Sequence, residues 1–287
     1  MTSNLETLTE INLDDLVSSF GWQNSPLLSR LLRFFFRNPA RTFAQHMVEY
    51  DDIVGAHGIV EGAWHLSRRY VKDIRIIGAD RIPESAFLAL SNHPGMTDTV
   101  TLFAALNRKN LRIIALDRPF LNALPHTTAQ LFYVYDDPAK RMTLVRQVSA
   151  HLKRGGAILT FPAGHIEPDP DVYPGAVDSL KAWTDSVGVF IRMAPEAAIL
   201  PVLARNVVAK KYANHWLLKI KKTKEEKEKL ATALQLLGMV MFNEKPVTVT
   251  IQIGKPIYAK DLGSTETEVI HQAVLTEMKN LIENPPE

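Results

Sequence analysis

Residues 71–287 carry seven short, β-rich apolar runs: IRIIG, AFLALS, LRIIAL, LFYVY, GAILTF, AAILPVLA and VTVTIQIG. Amphipathic stretches lie between them, at 99–108, 138–153 and 177–185. Strands that alternate with helices imply crossover connections, and crossovers produce a parallel sheet with helices on its faces. The expected fold is therefore α/β, a largely parallel mixed sheet flanked by helices. Residues 1–70 have a different texture and are expected to form a separate N-terminal helical segment, with the α/β domain over 71–287. Ligands of such sheets sit outside the carboxyl ends of the strands. The turns after the strands are thus the places to look for chemistry.

The N-terminal segment contains SPLLSRLLRFFFRNPARTF, with Ser25 and Pro26 as a helix start and Asn38 and Pro39 as its stop. A second helix is expected from about residue 40 to 70, with DDIVGAHG as a break. At about 100° per residue, Arg30, Arg33 and Arg37 fall within about 60° of one another. Leucines and phenylalanines at 27, 28, 31, 32 and 34–36 cover the rest. Two readings stand open. The helix packs into the protein with its arginines showing, or it lies in a lipid interface with phenylalanines down and arginines at headgroup level. On the second reading the arginines contribute little to folding.

At 287 residues and 46% hydrophobic, the chain can bury one large core or two smaller ones. Its 33 basic and 31 acidic residues leave a charge of +2, without the broad basic field that nucleic acid demands of a partner. Cysteine is absent, which removes disulfides, thiolate metal sites and thiol nucleophiles and fits a reducing cytoplasm. The polar, acidic start MTSNLETLTEINLDDL is not expected to be a signal peptide. No apolar run approaches the roughly 20 residues of a membrane span, so any membrane contact would be peripheral. Neither a G-x-S-x-G elbow nor a Walker A loop occurs, which leaves serine and nucleotide hydrolases without support.

The turn SNHPGMTD follows the second run. An imidazole of ordinary pKa near 6.5 is mostly unprotonated at neutral pH and has the strength to take a proton from an attacking hydroxyl. It needs a carboxylate on its other ring nitrogen to fix the tautomer and stabilise the imidazolium. Asp98 is five residues beyond His93, which a regular helix would place about 140° away. The two meet only if the chain first turns through Pro94 and Gly95. The alternative is plain: Asn92 and Asp98 cap a helix and His93 is a loop residue.

Two further strand ends point to the same cleft. GGAILTFPAGHIEPDP places Phe161, Pro162, Gly164, His165, Glu167 and Asp169 after one run, and AAILPVLARN is interrupted by Pro201. A proline there suggests an edge strand or an end that lines a site.

At these residues the chain resembles the glycerolipid acyltransferase family, which includes glycerol-phosphate and lysophosphatidate acyltransferases. NHPGMTD matches that family's N-H-x-x-x-x-D block through Asn92, His93 and Asp98. FPAGHIE keeps Phe161, Pro162 and Gly164 of its F-P-E-G-T-R-S block, and ILPV with Pro201 resembles its final apolar block. The resemblance runs over about residues 71–205, in order. It implies that His93 is the general base, Asp98 its orienter, and a thioester of coenzyme A or acyl carrier protein the acyl donor. It implies a lipid or alcohol hydroxyl as acceptor, a role in phospholipid or glycerolipid synthesis, no metal or other cofactor, and a cytoplasmic protein at a membrane's inner face. The expected substrate-binding residues are Asn92, Arg118, Phe161, Pro162, Gly164, His165, Glu167 and Pro201.

Departures from the pattern matter equally. Ala163 and Ile166 stand where the family's phosphate-holding glutamate and arginine are expected, and Asp136 and Asp137 follow LFYVY where an arginine is expected. A phosphate gains most from bidentate guanidinium contacts. Either Arg118, Lys140, Arg141 or Arg205 substitutes, or the acceptor carries no phosphate at that point. His165, Glu167 and Asp169 have the donor types of a metal site, but a proline-rich loop is expected to be mobile and a poor cage. His126 reads as a surface turn residue. KKYANHWLLKIKK suits either an anionic bilayer surface or a solvated helix. A protein of the same fold that binds lipid or acyl thioester without turnover is the alternative to an enzyme.

Overall fold

The seven runs form strands β1 (Asp73–Ile77), β2 (Phe87–Ser91), β3 (Leu111–Leu116), β4 (Leu131–Val134), β5 (Ala157–Thr160), β6 (Ala198–Arg205) and β7 (Thr248–Ile253). The computed structural model describes residues 2–135 and 137–286; Asp136 lies outside the described residues. The longer helices are α1 (Thr2–Phe20), α2 (Pro26–His57), α3 (Ile59–Tyr70), α4 (Met96–Leu106), α5 (Pro138–Lys153), α6 (Ser186–Met193), α7 (Lys224–Phe242) and α8 (Thr267–Glu283). None of the described helices is long and apolar enough to cross a membrane.

Two compact units share the chain. One comprises Met1–Asp73, Arg118–Ala129 and Val208–Val247; the other comprises Ile74–Asp117, Gln130–Val207 and Thr248–Glu287.

The second unit is built on one sheet in the order β1-β7-β6-β2-β5-β3-β4. Pairings from β6 through β4 are parallel, and β7 joins β6 antiparallel. The expected largely parallel mixed sheet is what forms. Every residue of β2 is buried, as a central strand covered on both faces requires. Leu88, Leu90, Ile158, Ile199 and Leu203 of the sheet pack with Val148 and Leu152 of α5, Phe190 and Ile191 of α6, and Ile270, Val274 and Met278 of α8. At roughly 25 cal/mol per Å² of apolar surface removed from water, this burial is the main force holding the sheet in its helical coat.

Pro201 is not at an edge. It is buried in the middle of β6, between β2 and β7. The ladder with β7 shows how this is tolerated: Val202 pairs with Ile253, but Ile199 bridges Ile257, so the partner chain carries one extra residue over this interval. That is a bulge, which interrupts the ladder where Pro201 has no N–H to give. Gly254 donates its N–H to the Pro201 carbonyl at 2.8 Å, and an added Cβ at Gly254 would lie 3.0 Å from that oxygen.

The first unit corrects one expectation and narrows another. Helix α2 does not stop at Asn38 but runs through Pro39 to His57, and the break with α3 falls at Gly58, whose φ of +92° suits glycine. An interior proline costs about 3 kcal/mol. Tertiary packing of Phe43, Ala44, Met47, Tyr50 and Val54 offsets it. Two of the three arginines read on one face, Arg33 and Arg37, are engaged within the unit. Arg33 bonds Glu10 at 2.9 Å and pairs with Asp14; Arg37 bonds Glu10 at 2.8 Å and pairs with Glu6; Arg41 reaches Glu6. They tie α2 to the acidic face of α1. What faces outward is Leu27, Leu31, Phe34 and Phe35, at 79, 52, 77 and 64% exposure. Those positions share one helical face.

Replacing Arg33 and Arg37 with glutamate should lower the Tm by a few degrees. Each exposed pair contributes about 0.2–1 kcal/mol, and the change sets carboxylates against carboxylates. A thermal melt followed by circular dichroism measures this; an unchanged Tm would show that the network does not hold α1 to α2.

Candidate active site

Three adjacent strands, β6, β2 and β5, deliver the site, all from the second unit. As the chain leaves β2, the Asn92 side chain donates to the Ala204 carbonyl (3.0 Å) and accepts the Ala204 N–H (2.8 Å). This imitates a ladder rung and ties the strand end to β6. Asn92 is buried, so the structure gives it to β6 before any ligand.

His93 follows, and Pro94 and Gly95 turn the chain before α4 begins at Met96. Asp98 is fully buried. Its Oδ2 lies 2.9 Å from His93 Nδ1 and also accepts the Gly95 N–H at 2.9 Å. Its Oδ1 accepts the Thr99 hydroxyl at 3.0 Å and the Thr99 N–H. One carboxylate thus both caps the helix and engages the imidazole. The cap holds it still, which is what an orienting group needs. With Asp98 on Nδ1, the proton sits there and Nε2 is left as the basic nitrogen.

The His93 side chain is 30% exposed, and the Phe161 ring lies against it with centroids 4.8 Å apart. Burial is the largest influence on its pKa and lowers it. The Asp98 carboxylate, by charge and hydrogen bond, and Glu167 by charge outweigh that, and the pKa stands above its ordinary value.

The proline-rich loop after β5 is tied down by hydrogen bonds. Phe161 accepts from Gly164 N–H (3.1 Å), whose φ of +68° favours glycine, and Pro162 is buried with its carbonyl accepting from Thr184 (3.2 Å). Glu167 is only 1% exposed. Its Oε1 accepts from Trp183 Nε1 (2.8 Å) and Ser179 Oγ (3.0 Å), and its Oε2 from the His93 N–H (3.2 Å). Burial pushes its carboxyl pKa up, and those donors together with His165 draw part of that back. Asp169, also buried, accepts from the N–H groups of Val207 (2.6 Å), Asn206 (3.1 Å) and Asp171 (3.1 Å). Glu167 and Asp169 thus serve separate hydrogen-bond sets while His165 is exposed. Among the described residues, no three His, Asp or Glu side chains gather as a metal site would require.

Two further expected residues are Pro201 and Arg118. Pro201 is inside β6, three residues before the Ala204 rung. Arg118 belongs to the first unit, where it precedes the short helix Pro119–Asn122. His126 is also there, its N–H bonded to Asp51 at 3.1 Å. Of the cations that could replace a phosphate clamp, Arg205 is 2% exposed and committed to Gln252, Asp171 and the carbonyls of Leu281 (2.6 Å) and Ile282 (2.8 Å). Lys140 and Arg141 are exposed on α5, next to Asp137, which caps that helix through Ala139 N–H (2.8 Å). They follow β4, the edge strand, three places from β2 and so about 14 Å across the sheet. Ser179, Trp183 and Ala204 escaped the sequence reading; nothing in their spacing marks them.

The site thus presents a histidine bonded to a buried carboxylate at the C-terminal end of a central strand. Residues 73–204 match the family model of the acyltransferases. No curated protein matches the chain. Among solved structures, the chain is similar to the 1-acyl-sn-glycerophosphate (LPA) acyltransferase PlsC from Thermotoga maritima, at 18% identity over 96% of each chain with a TM-score of 0.43.

The His93 imidazole should titrate above pH 6.5, and Asp98→Asn should lower its pKa by removing the charge that raises it. Histidine side-chain NMR across pH 5–9 reads both. A His93 titration below 6.5, or one unmoved by Asp98→Asn, would contradict the electrostatics described.

Proposed function

We propose that this protein moves an acyl chain from a thioester of coenzyme A or acyl carrier protein to a hydroxyl of a lipid or related acceptor, with His93 as general base. The observation that carries this is the 2.9 Å contact of His93 Nδ1 with buried Asp98. In the reaction, Nε2 takes the acceptor's hydroxyl proton as its oxygen attacks the thioester carbonyl. The tetrahedral intermediate collapses with cleavage of the C–S bond, and the thiolate leaves with the proton returned from the imidazolium. Asp98 stabilises the imidazolium between these steps.

His93→Ala should lower turnover by about 100 to 10,000-fold, the usual contribution of a general base, with the Tm nearly unchanged because the side chain is partly exposed. The assay is purified protein with labelled acyl thioesters and a panel of hydroxyl acceptors, products identified by mass spectrometry. Near wild-type turnover in this variant would overturn the mechanism. No transfer by the wild-type protein to any acceptor would favour a binding protein instead.

The acceptor fits best as one without a phosphate beside the reacting hydroxyl. Ala163 and Ile166 supply no charge, Arg205 is spent on the protein interior, and Lys140 and Arg141 lie beyond an edge strand. Glycerol 3-phosphate and lysophosphatidate are expected to be poor acceptors. The pair Ala163→Glu with Ile166→Arg should raise activity on them at least several-fold. Robust wild-type activity on either would show that a phosphate clamp exists.

Contact with a lipid surface is proposed for the apolar face of α2. Leu27, Leu31, Phe34 and Phe35 are exposed together, which a soluble surface seldom keeps without use. Such a face enters the headgroup boundary as an interfacial helix does, at the membrane's inner face if the protein is cytoplasmic. Lysines of 210–222 flank Trp216 and Ile220, also exposed in this unit, and add attraction to anionic lipid. Phe34→Ser with Phe35→Ser should weaken vesicle co-sedimentation ten-fold or more and leave the Tm unchanged. Undiminished binding would move the contact away from α2.

A further inference from the structure

We propose that Glu167 is a positioning residue for His93, holding the histidine's backbone at both its donor and its acceptor so that the imidazole meets Asp98 and the acceptor hydroxyl together. This rests on the reading of His93 as the general base.

The backbone groups of His93 fall just beyond β2, where the ladder with its neighbouring strands has ended. Buried backbone groups must find partners. Both are found in one residue 74 positions away: the Glu167 N–H donates to the His93 carbonyl at 2.9 Å, and Glu167 Oε2 accepts the His93 N–H at 3.2 Å. The carboxylate is in turn fixed by Trp183 and Ser179 on Oε1. All these donors converge on an acceptor-only group, as an ionised carboxylate requires. Glu167 therefore cannot shift without carrying His93 with it, and a misplacement of about 1 Å in a catalytic group can cost about 100-fold. The charged groups acting on His93 are Asp98 and Glu167, and His165 acts on Glu167. The Glu167 charge favours the imidazolium that forms during transfer.

Glu167→Gln tests this with little change of shape. Glutamine offers one acceptor oxygen; if that serves Trp183, its amide NH₂ meets the His93 N–H, donor against donor. The expected result is a kcat lowered ten-fold or more, a KM for the thioester within about two-fold, and a His93 NMR titration moved to lower pH. Trp183→Phe removes one of the two anchors on Oε1 and leaves Ser179 in place, so it should lower the Tm and reduce kcat less than Glu167→Gln does. In the wild type, the His93 amide hydrogen should exchange slowly, a readout that needs no variant to fold. Combined with His93→Ala, Glu167→Gln should cause no further loss.

A kcat within two-fold of wild type per folded molecule, with the His93 titration unmoved, would overturn the proposal. So would equal kcat losses in the two single variants, which would mark general packing of the loop, or a freely exchanging His93 amide. If His93→Ala is itself active, the general-base reading fails instead; if His93→Ala is inactive and Glu167→Gln is normal, only the positioning role fails.

Discussion

The end of β2 leaves a buried strand for a turn, and its polar backbone must be satisfied before any chemistry can be placed there. Three residues meet that demand. Asn92 continues the sheet onto Ala204, Glu167 takes both backbone groups of His93, and Asp98 closes the turn by accepting from Gly95. Asn92 and Asp98 belong to the turn itself, Glu167 to the loop after β5 and Ala204 to β6, and the parallel sheet brings them together because β6 and β5 flank β2. The imidazole is the one part of this assembly left partly open.

Much of this was legible in the sequence, and for identifiable reasons. All seven strands could be read, because fully buried parallel strands are continuous apolar runs that punctuation by glycine, proline and charge sets apart. The His93–Asp98 pair was legible because proline and glycine between them force the necessary turn. Pro201 misled, since a proline in a central strand is tolerated only where a bulge on the neighbour removes its bonding partner, and that extra residue lies about fifty positions downstream. Pro39 misled for a related reason: its local cost is outweighed by packing of the following turns. The hydrogen bonds of Glu167 could not be read, because Trp183, Ser179 and the His93 amide meet it only in three dimensions.

The arginines of α2 show a charged face whose partners the sequence also carries. Their common face was visible in the sequence, but so were Glu6, Glu10 and Asp14 on α1, at spacings of one helical face. Oppositely charged helix faces within one unit satisfy each other, and the apolar face is the one left outward. This makes hydrophobic insertion, rather than headgroup pairing by these arginines, the basis of the proposed lipid contact.

The central claim is that His93, tuned by Asp98, is the proton acceptor in acyl transfer. The most direct measurement is the pH dependence of kcat/KM set beside the NMR titration of the His93 side chain in the same buffer. The account predicts an acidic limb that coincides with the His93 titration above pH 6.5 and moves with it in Asp98→Asn. A limb that departs from the His93 titration, or stays in place when that titration moves, would contradict it.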